Sequence, residues 1–279
     1  MNANPTTPYE TVRQFENEAF WTDRRYTTIE TERAQQTLSW LPADVHSVLD
    51  VGCGNGVLTN LLEGPDLIVG TDRSFAALGF VRKPRCLSDI VCLPFVDGAF
   101  DAVLSTEVIE HMPGAVYPAA LSELARVARR YVLVTVPYQE RLWMREVRCP
   151  HCGASFHEHG HQRSYNAALM RELFAKVPGM HFVRAQAIFP RQRYLFAAEG
   201  LVLFRRMTSP AERFPGRSVC PQCGYTRAEQ RAATTSASAS PAAPRAGSTL
   251  QRRVKKIWPR YVSYSWWLGL YEKENQSTT

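Results

Sequence analysis

Val48-Leu-Asp-Val-Gly-Cys-Gly-Asn-Gly-Val-Leu-Thr59 is an apolar run that breaks at three alternate glycines and then resumes. Val48, Leu49 and Val51 read as a strand buried within a parallel sheet. Gly52, Gly54 and Gly56 let the backbone turn sharply and approach a ligand at the strand's carboxyl end. A dinucleotide loop spaces its glycines G-x-G-x-x-G and seats a pyrophosphate on a helix N-terminus. Here the spacing is G-x-G-x-G, preceded by Asp50, which points to a different nucleotide cofactor.

The pattern resembles the first motif of class I S-adenosylmethionine-dependent methyltransferases, and three further motifs resemble that family in order over roughly residues 30 to 190. Val69-Gly-Thr-Asp72 resembles the second strand and its terminal acid, which implies that Asp72 accepts hydrogen bonds from both ribose hydroxyls. Residues 86 to 112 resemble the third and fourth strand region, implying that Asp89 and Ile90 lie against the adenine and that Phe100 to Ser105 form the fourth strand. The implied cofactor set is Asp50, Gly52, Cys53, Gly54, Gly56, Asp72, Arg73, Asp89, Ile90 and Thr106. Cys53 by itself reads as a small packing residue rather than a reactive thiol. The implied fold is α/β: a doubly wound, mostly parallel Rossmann-like sheet with a small zinc-binding insertion and a C-terminal helical tail.

Alternating elements agree with that fold. Residues 9 to 41 read as a helical cap, with Ile29, Ala34, Leu38 and Leu41 at helical spacing, Glu30, Arg33 and Gln36 on the solvated side, and Pro42 as the stop. A cofactor-binding core is expected over 42–148, a zinc-stapled, substrate-side region with the last core elements over 149–224, and a flexible linker over 225–250, where Ala, Ser, Thr and Pro dominate. Residues 251–279 form a basic aromatic tail. Val254, Ile257, Tyr261, Tyr264, Leu268 and Tyr271 recur at three- and four-residue steps, after Arg252, Arg253, Lys255 and Lys256. A helix docked on its own domain and an interfacial helix at a membrane surface both fit that pattern.

The net charge is +7 over 279 residues. Tyr225 to Thr279 hold nine Lys and Arg against three Glu, so the core is nearly neutral and a general nucleic-acid surface is disfavoured. No leader-like or bilayer-length apolar run stands out, and a cytoplasmic location is expected, peripheral at the inner membrane face if the tail binds there.

Two pairs, Cys149-Pro-His-Cys152-Gly153 and Cys220-Pro-Gln-Cys223-Gly224, are knuckles of one form. With no export signal, paired thiols read as metal ligands before disulfides, and four thiolates close a structural Zn2+ site. After the fourth strand, Ser105-Thr-Glu-Val-Ile-Glu-His111 replaces the Asn/Asp-Pro-Pro-Tyr/Phe motif of similar amino-directed DNA methyltransferases. Glu107, Glu110 and His111 resemble a divalent-metal site of quinone-precursor and some RNA 2'-O-methyltransferases, although the same residues border the cofactor in relatives that use no metal. Mg2+ is the less favoured of these readings, and His111 as a base or cofactor-edge residue is preferred. His157 and His161, in Phe156-His-Glu-His-Gly-His161, are further candidates for the general base of a hydroxyl nucleophile. Together these residues imply O-methylation of a small-molecule or glycan acceptor, with a lipid-linked sugar among the candidates. An RNA methyltransferase and a non-catalytic cofactor-binding scaffold are the alternatives.

Overall fold

The computed structural model describes residues 28–194, 218–226 and 260–274, with Phe15, Trp21 and Phe214. Most of the expected N-terminal cap, the linker from residue 227 onward and the basic cluster Arg252 to Lys256 lie outside these residues. The chain forms two compact units. The first comprises residues 1–140, 160–189 and 265–279, and the second 141–159 and 190–264. The division falls after Glu140 rather than at Arg148.

The first unit is built on β1 (Ser47–Val51), β2 (Leu67–Asp72), β3 (Arg85–Leu87), β4 (Phe100–Thr106) and β5 (Ala128–Pro137). These five strands pair in parallel in the order β3-β2-β1-β4-β5. Helices α1 (Thr28–Leu38), α2 (Val57–Leu61), α3 (Phe75–Leu78), α4 (Tyr117–Val127) and α5 (Ala167–Glu172) alternate with them. Chain order reverses between β1 and β4, so the loops after these two strands diverge and leave a crevice at their carboxyl ends.

The strands read as apolar runs because both faces are covered. Val48, Ala102, Leu104 and Leu133 enter one core layer, and Leu49, Val51, Val103, Val132 and Val134 the other.

The tail corrects the expectation of a helix. Beyond β6 (Glu146–Arg148), β7 (Ser155–His157), β8 (Met180–Ile188), β9 (Arg191–Tyr194) and β10 (Arg260–Ser263), the last element is a strand, β11 (Trp266–Lys273). It lies antiparallel between β5 and β8 and completes a seven-stranded sheet. Trp267 and Tyr271 enter one core layer, Leu268 and Leu270 the other. Trp-Trp-Leu-Gly-Leu-Tyr suits a strand buried on both faces, since aromatic residues favour strands and a glycine inside a helix is unfavourable. The three-and-four spacing with Tyr261 and Tyr264 is coincidental. The Tyr271 hydroxyl donates to the carbonyl of Met170. Lys273 Nζ donates to the carbonyls of Ala125 and Ala128 at 2.8 and 3.0 Å, capping the end of α4. No helix among the described residues is long and apolar enough to cross a membrane.

In the second unit β6 and β7 form an antiparallel hairpin and β9 pairs with β10.

Leu268 is fully buried. Leu268→Ala should therefore cost about 2–5 kcal/mol and lower the thermal midpoint of the first unit by several degrees, measured by differential scanning calorimetry. A tail lying outside the sheet would leave the midpoint unchanged.

Candidate functional site

The crevice is shaped first by backbone. Gly52, Gly54 and Gly56 have φ of 73°, 54° and 74°, the left-handed region that side chains avoid. A Cβ on Gly52 would lie 2.3 Å from Val108, and one on Gly54 would lie 2.8 Å from Trp21, so larger residues would fill the cradle. Asp72, at the end of β2, holds the loop: Oδ2 accepts from Gly54 N and Oδ1 from Ser74 N, each at 2.8 Å. A carboxylate oxygen accepts more than one hydrogen bond, so this anchoring is compatible with a ribose. Arg73 follows within the same turn. Asp89 and buried Ile90 lie in the turn after β3, where Asp89 Oδ1 accepts from Val91 N at 3.2 Å. Thr106 ends β4.

Asp50 is buried, and its Oδ2 accepts from Thr59 Oγ1 at 2.6 Å while Oδ1 has no partner. Burial, reinforced by the charge of Asp72, raises its pKa from 3.8 to about 6. A carboxylate with one unpartnered oxygen, two residues before the glycine cradle, fits a cationic cofactor. Cys53 packs with Leu78 and Val81. Burial, with Asp50 and Asp72 nearby, keeps its thiol protonated, in line with a packing role.

A second polar cluster lies past β4. Glu107 Oε2 accepts from Trp266 Nε1 at 2.8 Å, and Oε1 is 3.4 Å from Arg33. Arg33 lies 5.2 Å from the centre of the Trp266 ring. This corrects the reading of Arg33 as a solvated residue: its side chain is 18% exposed and faces the cluster. Glu110 is fully buried, neither oxygen having a hydrogen-bond partner, with Oε1 4.0 Å from His111 Nε2. Burial, then the charge of Glu107, pushes its carboxyl well above the ordinary range. Burial also raises Glu107, against the pull of Arg33.

His161, fifty positions after His111, is brought beside it with ring centres 4.8 Å apart. Its Nδ1 is hydrogen-bonded to Glu140. The Glu140 and Arg33 contributions carried no signal in the sequence, because both depend on non-local pairing. His157 belongs to the second unit, where its ring meets His159 edge-on.

The four knuckle cysteines gather in the second unit. Cys149 and Cys223 sulfurs are 3.7 Å apart, and those of Cys152 and Cys220 are 3.6 Å apart. These separations exclude disulfides and match the edge of about 3.8 Å that follows from a tetrahedral ion with Zn–S bonds of about 2.3 Å. Gly153 and Gly224 have φ of 76° and 75°, and each donates its N–H to the carbonyl of its knuckle's first cysteine, at 3.0 and 2.9 Å. Phe156, Phe214 and Tyr225 pack around Cys149 and Cys220.

Residues 49–134 match the methyltransferase domain family. The chain is 31% identical over 103 residues to an 18S rRNA (guanine-N(7))-methyltransferase of Schizosaccharomyces pombe, covering 34% of this chain and 38% of that protein. It is 33% identical over 105 residues to the ubiquinone biosynthesis O-methyltransferase of Paraburkholderia xenovorans, covering 32% and 44%. The chain thus spans less than half the length of these curated relatives. Among solved structures, magnesium protoporphyrin IX methyltransferase from Synechocystis superposes with a TM-score of 0.51 at 14% identity, over 98% of this chain and 100% of that one. This last likeness is one of fold alone.

Because the folded pKa of Asp50 lies above its ordinary value, the folded state binds the extra proton between about pH 4 and 6, and stability falls as pH rises through that window. Asp50→Asn should remove this slope. The stability of the variant relative to wild type should rise by about 2 kcal/mol between pH 4 and pH 7, read from urea unfolding of the cofactor-free protein. A pH-independent difference would mean that Asp50 does not carry the shift.

Proposed function

We propose that this chain, whose residues 49–134 belong to the S-adenosylmethionine-dependent methyltransferase domain family, transfers the methyl group to an oxygen of a small-molecule or glycan acceptor. Methyl transfer from a sulfonium is an in-line displacement: the methyl–sulfur bond breaks as the bond to the nucleophile forms, and the cofactor's positive charge disappears. The protein aligns the partners in a dry site and makes the nucleophile's lone pair available. Gly52, Cys53, Gly54 and Gly56 would supply the cradle, Asp72 the ribose contact, Asp89 and Ile90 the adenine contact, and Asp50, Arg73 and Thr106 the remaining edge.

The observation supporting oxygen is the Glu110, His111 and His161 cluster beside the β4 end. A neutral amine is nucleophilic as it stands, whereas a neutral hydroxyl is a weak nucleophile that gains strength by losing its proton, and a buried imidazole–carboxylate cluster assists that ionisation. His111 and His161 are therefore the proposed catalytic residues. An RNA acceptor is the second reading, favoured by the ribosomal RNA relative and by the basic surplus after Tyr225. In the second unit we assign Cys149, Cys152, Cys220 and Cys223 to a structural Zn2+, which ties residues 141–159 to residues 190–264.

Two experiments test these readings. Radiolabelled methyl transfer into a host extract, fractionated into RNA, protein, lipid-linked glycan and small molecules, should place label on oxygen in the last two fractions. His161→Ala should lower incorporation at least about a hundredfold, and Asp72→Ala should abolish it; ribonuclease-sensitive label would establish the second reading instead. The purified protein should carry one zinc per chain by elemental analysis, and Cys149→Ser should lose it and expose the 141–159 segment to protease. Zinc-free wild-type protein with the same protease resistance would refute the assignment.

A further inference from the structure

Positive charge in this chain is concentrated in the second unit. Residues 190–264 hold fourteen Lys and Arg against three Glu, a surplus of eleven in a chain whose net charge is +7. Within that stretch β9 and β10 form a two-stranded sheet of their own, and such a ribbon is marginal in water unless something covers a face. Adjacent residues of a strand project to opposite faces. Tyr261 and Val262, neighbours in β10, are 42% and 58% exposed, so both faces of the ribbon present apolar surface there. Neither residue belongs to the cluster of Cys149, Phe214 and Cys220 that packs the described part of this unit.

From this placement we infer that the β9–β10 ribbon docks on an anionic lipid bilayer surface, with Tyr261 and Val262 as apolar contacts and the adjoining arginines and lysines meeting the headgroup phosphates. Three observations carry it. First, the register pairs Tyr194 with Arg260 and Arg191 with Ser263, so the chain leaves β9 and enters β10 at the same end of the ribbon. Second, the two sequences joined to that end share a composition. Tyr194-Leu-Phe-Ala-Ala-Glu-Gly-Leu-Val-Leu-Phe204 carries a single charge and is bounded by Arg193 and Arg205, while Arg252-Arg-Val-Lys-Lys-Ile-Trp-Pro-Arg260 interleaves five cations with Val254, Ile257 and Trp258. An apolar run of eleven residues is about half of what a spanning helix needs. Cations beside aliphatic and aromatic residues suit the plane of the interface instead. Third, the ribbon itself includes Arg191, Arg193 and Arg260 and no acid, so its charge is opposite to that of an anionic leaflet.

RNA would answer the same charge, but it is gripped by cations and by aromatic rings that stack on bases. The aliphatic residues Leu195, Leu201, Val202, Leu203 and Val262 add nothing to such a grip, whereas the acyl boundary of a bilayer takes them. The inference goes beyond the methyl-transfer reading and does not rest on it, since docking needs neither cofactor nor acceptor.

The test is co-sedimentation of full-length, zinc-loaded protein with vesicles of phosphatidylcholine, alone or mixed with phosphatidylglycerol, at physiological ionic strength and without cofactor. Wild type should bind the anionic vesicles at least about tenfold more tightly than the neutral ones. Tyr261→Thr combined with Val262→Thr keeps residues that favour strands and should weaken binding to the anionic vesicles at least about fivefold. Charge reversal by Arg252→Glu, Arg253→Glu, Lys255→Glu and Lys256→Glu should abolish the preference for them. Zinc content and near-ultraviolet circular dichroism matching wild type establish that each variant is folded, and Val262→Thr alone is the milder substitution. Equal binding to neutral and anionic vesicles, or undiminished binding by the folded Tyr261→Thr, Val262→Thr variant, would overturn the inference. So would tighter binding to a single-stranded RNA oligonucleotide than to the anionic vesicles at equal phosphate concentration, which would assign the surface to nucleic acid. Because no cofactor is present, failure of docking leaves the methyl-transfer reading standing, and failure of that reading leaves docking standing.

Discussion

The antiparallel strand β11, lying between β5 and β8, is the constraint on which the rest of the first unit depends. Residues 131–137 pair with residues 266–272, and β8 has no place in the sheet without them. Such pairing closes a loop of about 130 residues, so an entropy cost precedes the gain from burying Trp267, Leu268, Leu270 and Tyr271. The same strand carries Trp266 to the carboxyl end of β4, where its indole N–H meets Glu107. The last strand to enter the sheet therefore helps to set the geometry at the crevice.

Electrostatics in the crevice run against ordinary stability. Asp50 and Glu110 are buried with oxygens that no donor meets, and burial raises both pKa values. A fold selected for stability alone would replace such groups with apolar ones or pair them. Their presence, Asp50 in β1 and Glu110 in the turn of residues 109–111 past β4, is accounted for if each meets positive charge in the working state. Asp50 lies beneath the glycine cradle on the cofactor side, and Glu110 lies beyond β4 on the side facing His111 and His161.

Much of the fold was legible because its signals are local. The Val48–Val51 run, the glycines at 52, 54 and 56 and the acid at 72 each express a backbone or hydrogen-bonding demand within a few residues. The two C-P-x-C-G knuckles do the same, and their matching spacing led to a four-sulfur cluster. The misreadings have a shared cause. Residues 266–271 take their structure from β5 and β8, and burial on both faces erased the alternation that marks a half-exposed strand. Arg33 sits on a polar helix whose spacing gave no sign that the half-buried Glu107 carboxylate awaited it. The Glu140–His161 bond joins two loops that only the sheet brings together.

Backbone strain supports a functional purpose for these long-range contacts. Glu107 and Gln139 adopt φ of 58° and 41°, conformations that cost a residue with a Cβ about 1–2 kcal/mol each. Each lies just past a strand end, Glu107 after β4 and Gln139 after β5; the first turn directs the Glu107 carboxylate to Trp266 and Arg33, and the second precedes Glu140, which is bonded to His161. Surrounding bonds hold both: Glu107 N donates to the carbonyl of Thr135 at 2.9 Å and Gln139 N to that of Tyr165 at 3.0 Å. Strain of this kind persists only where the surroundings over-determine it. That two adjacent parallel strands both end in this way is explained by a requirement on where the carboxylates of Glu107 and Glu140 point.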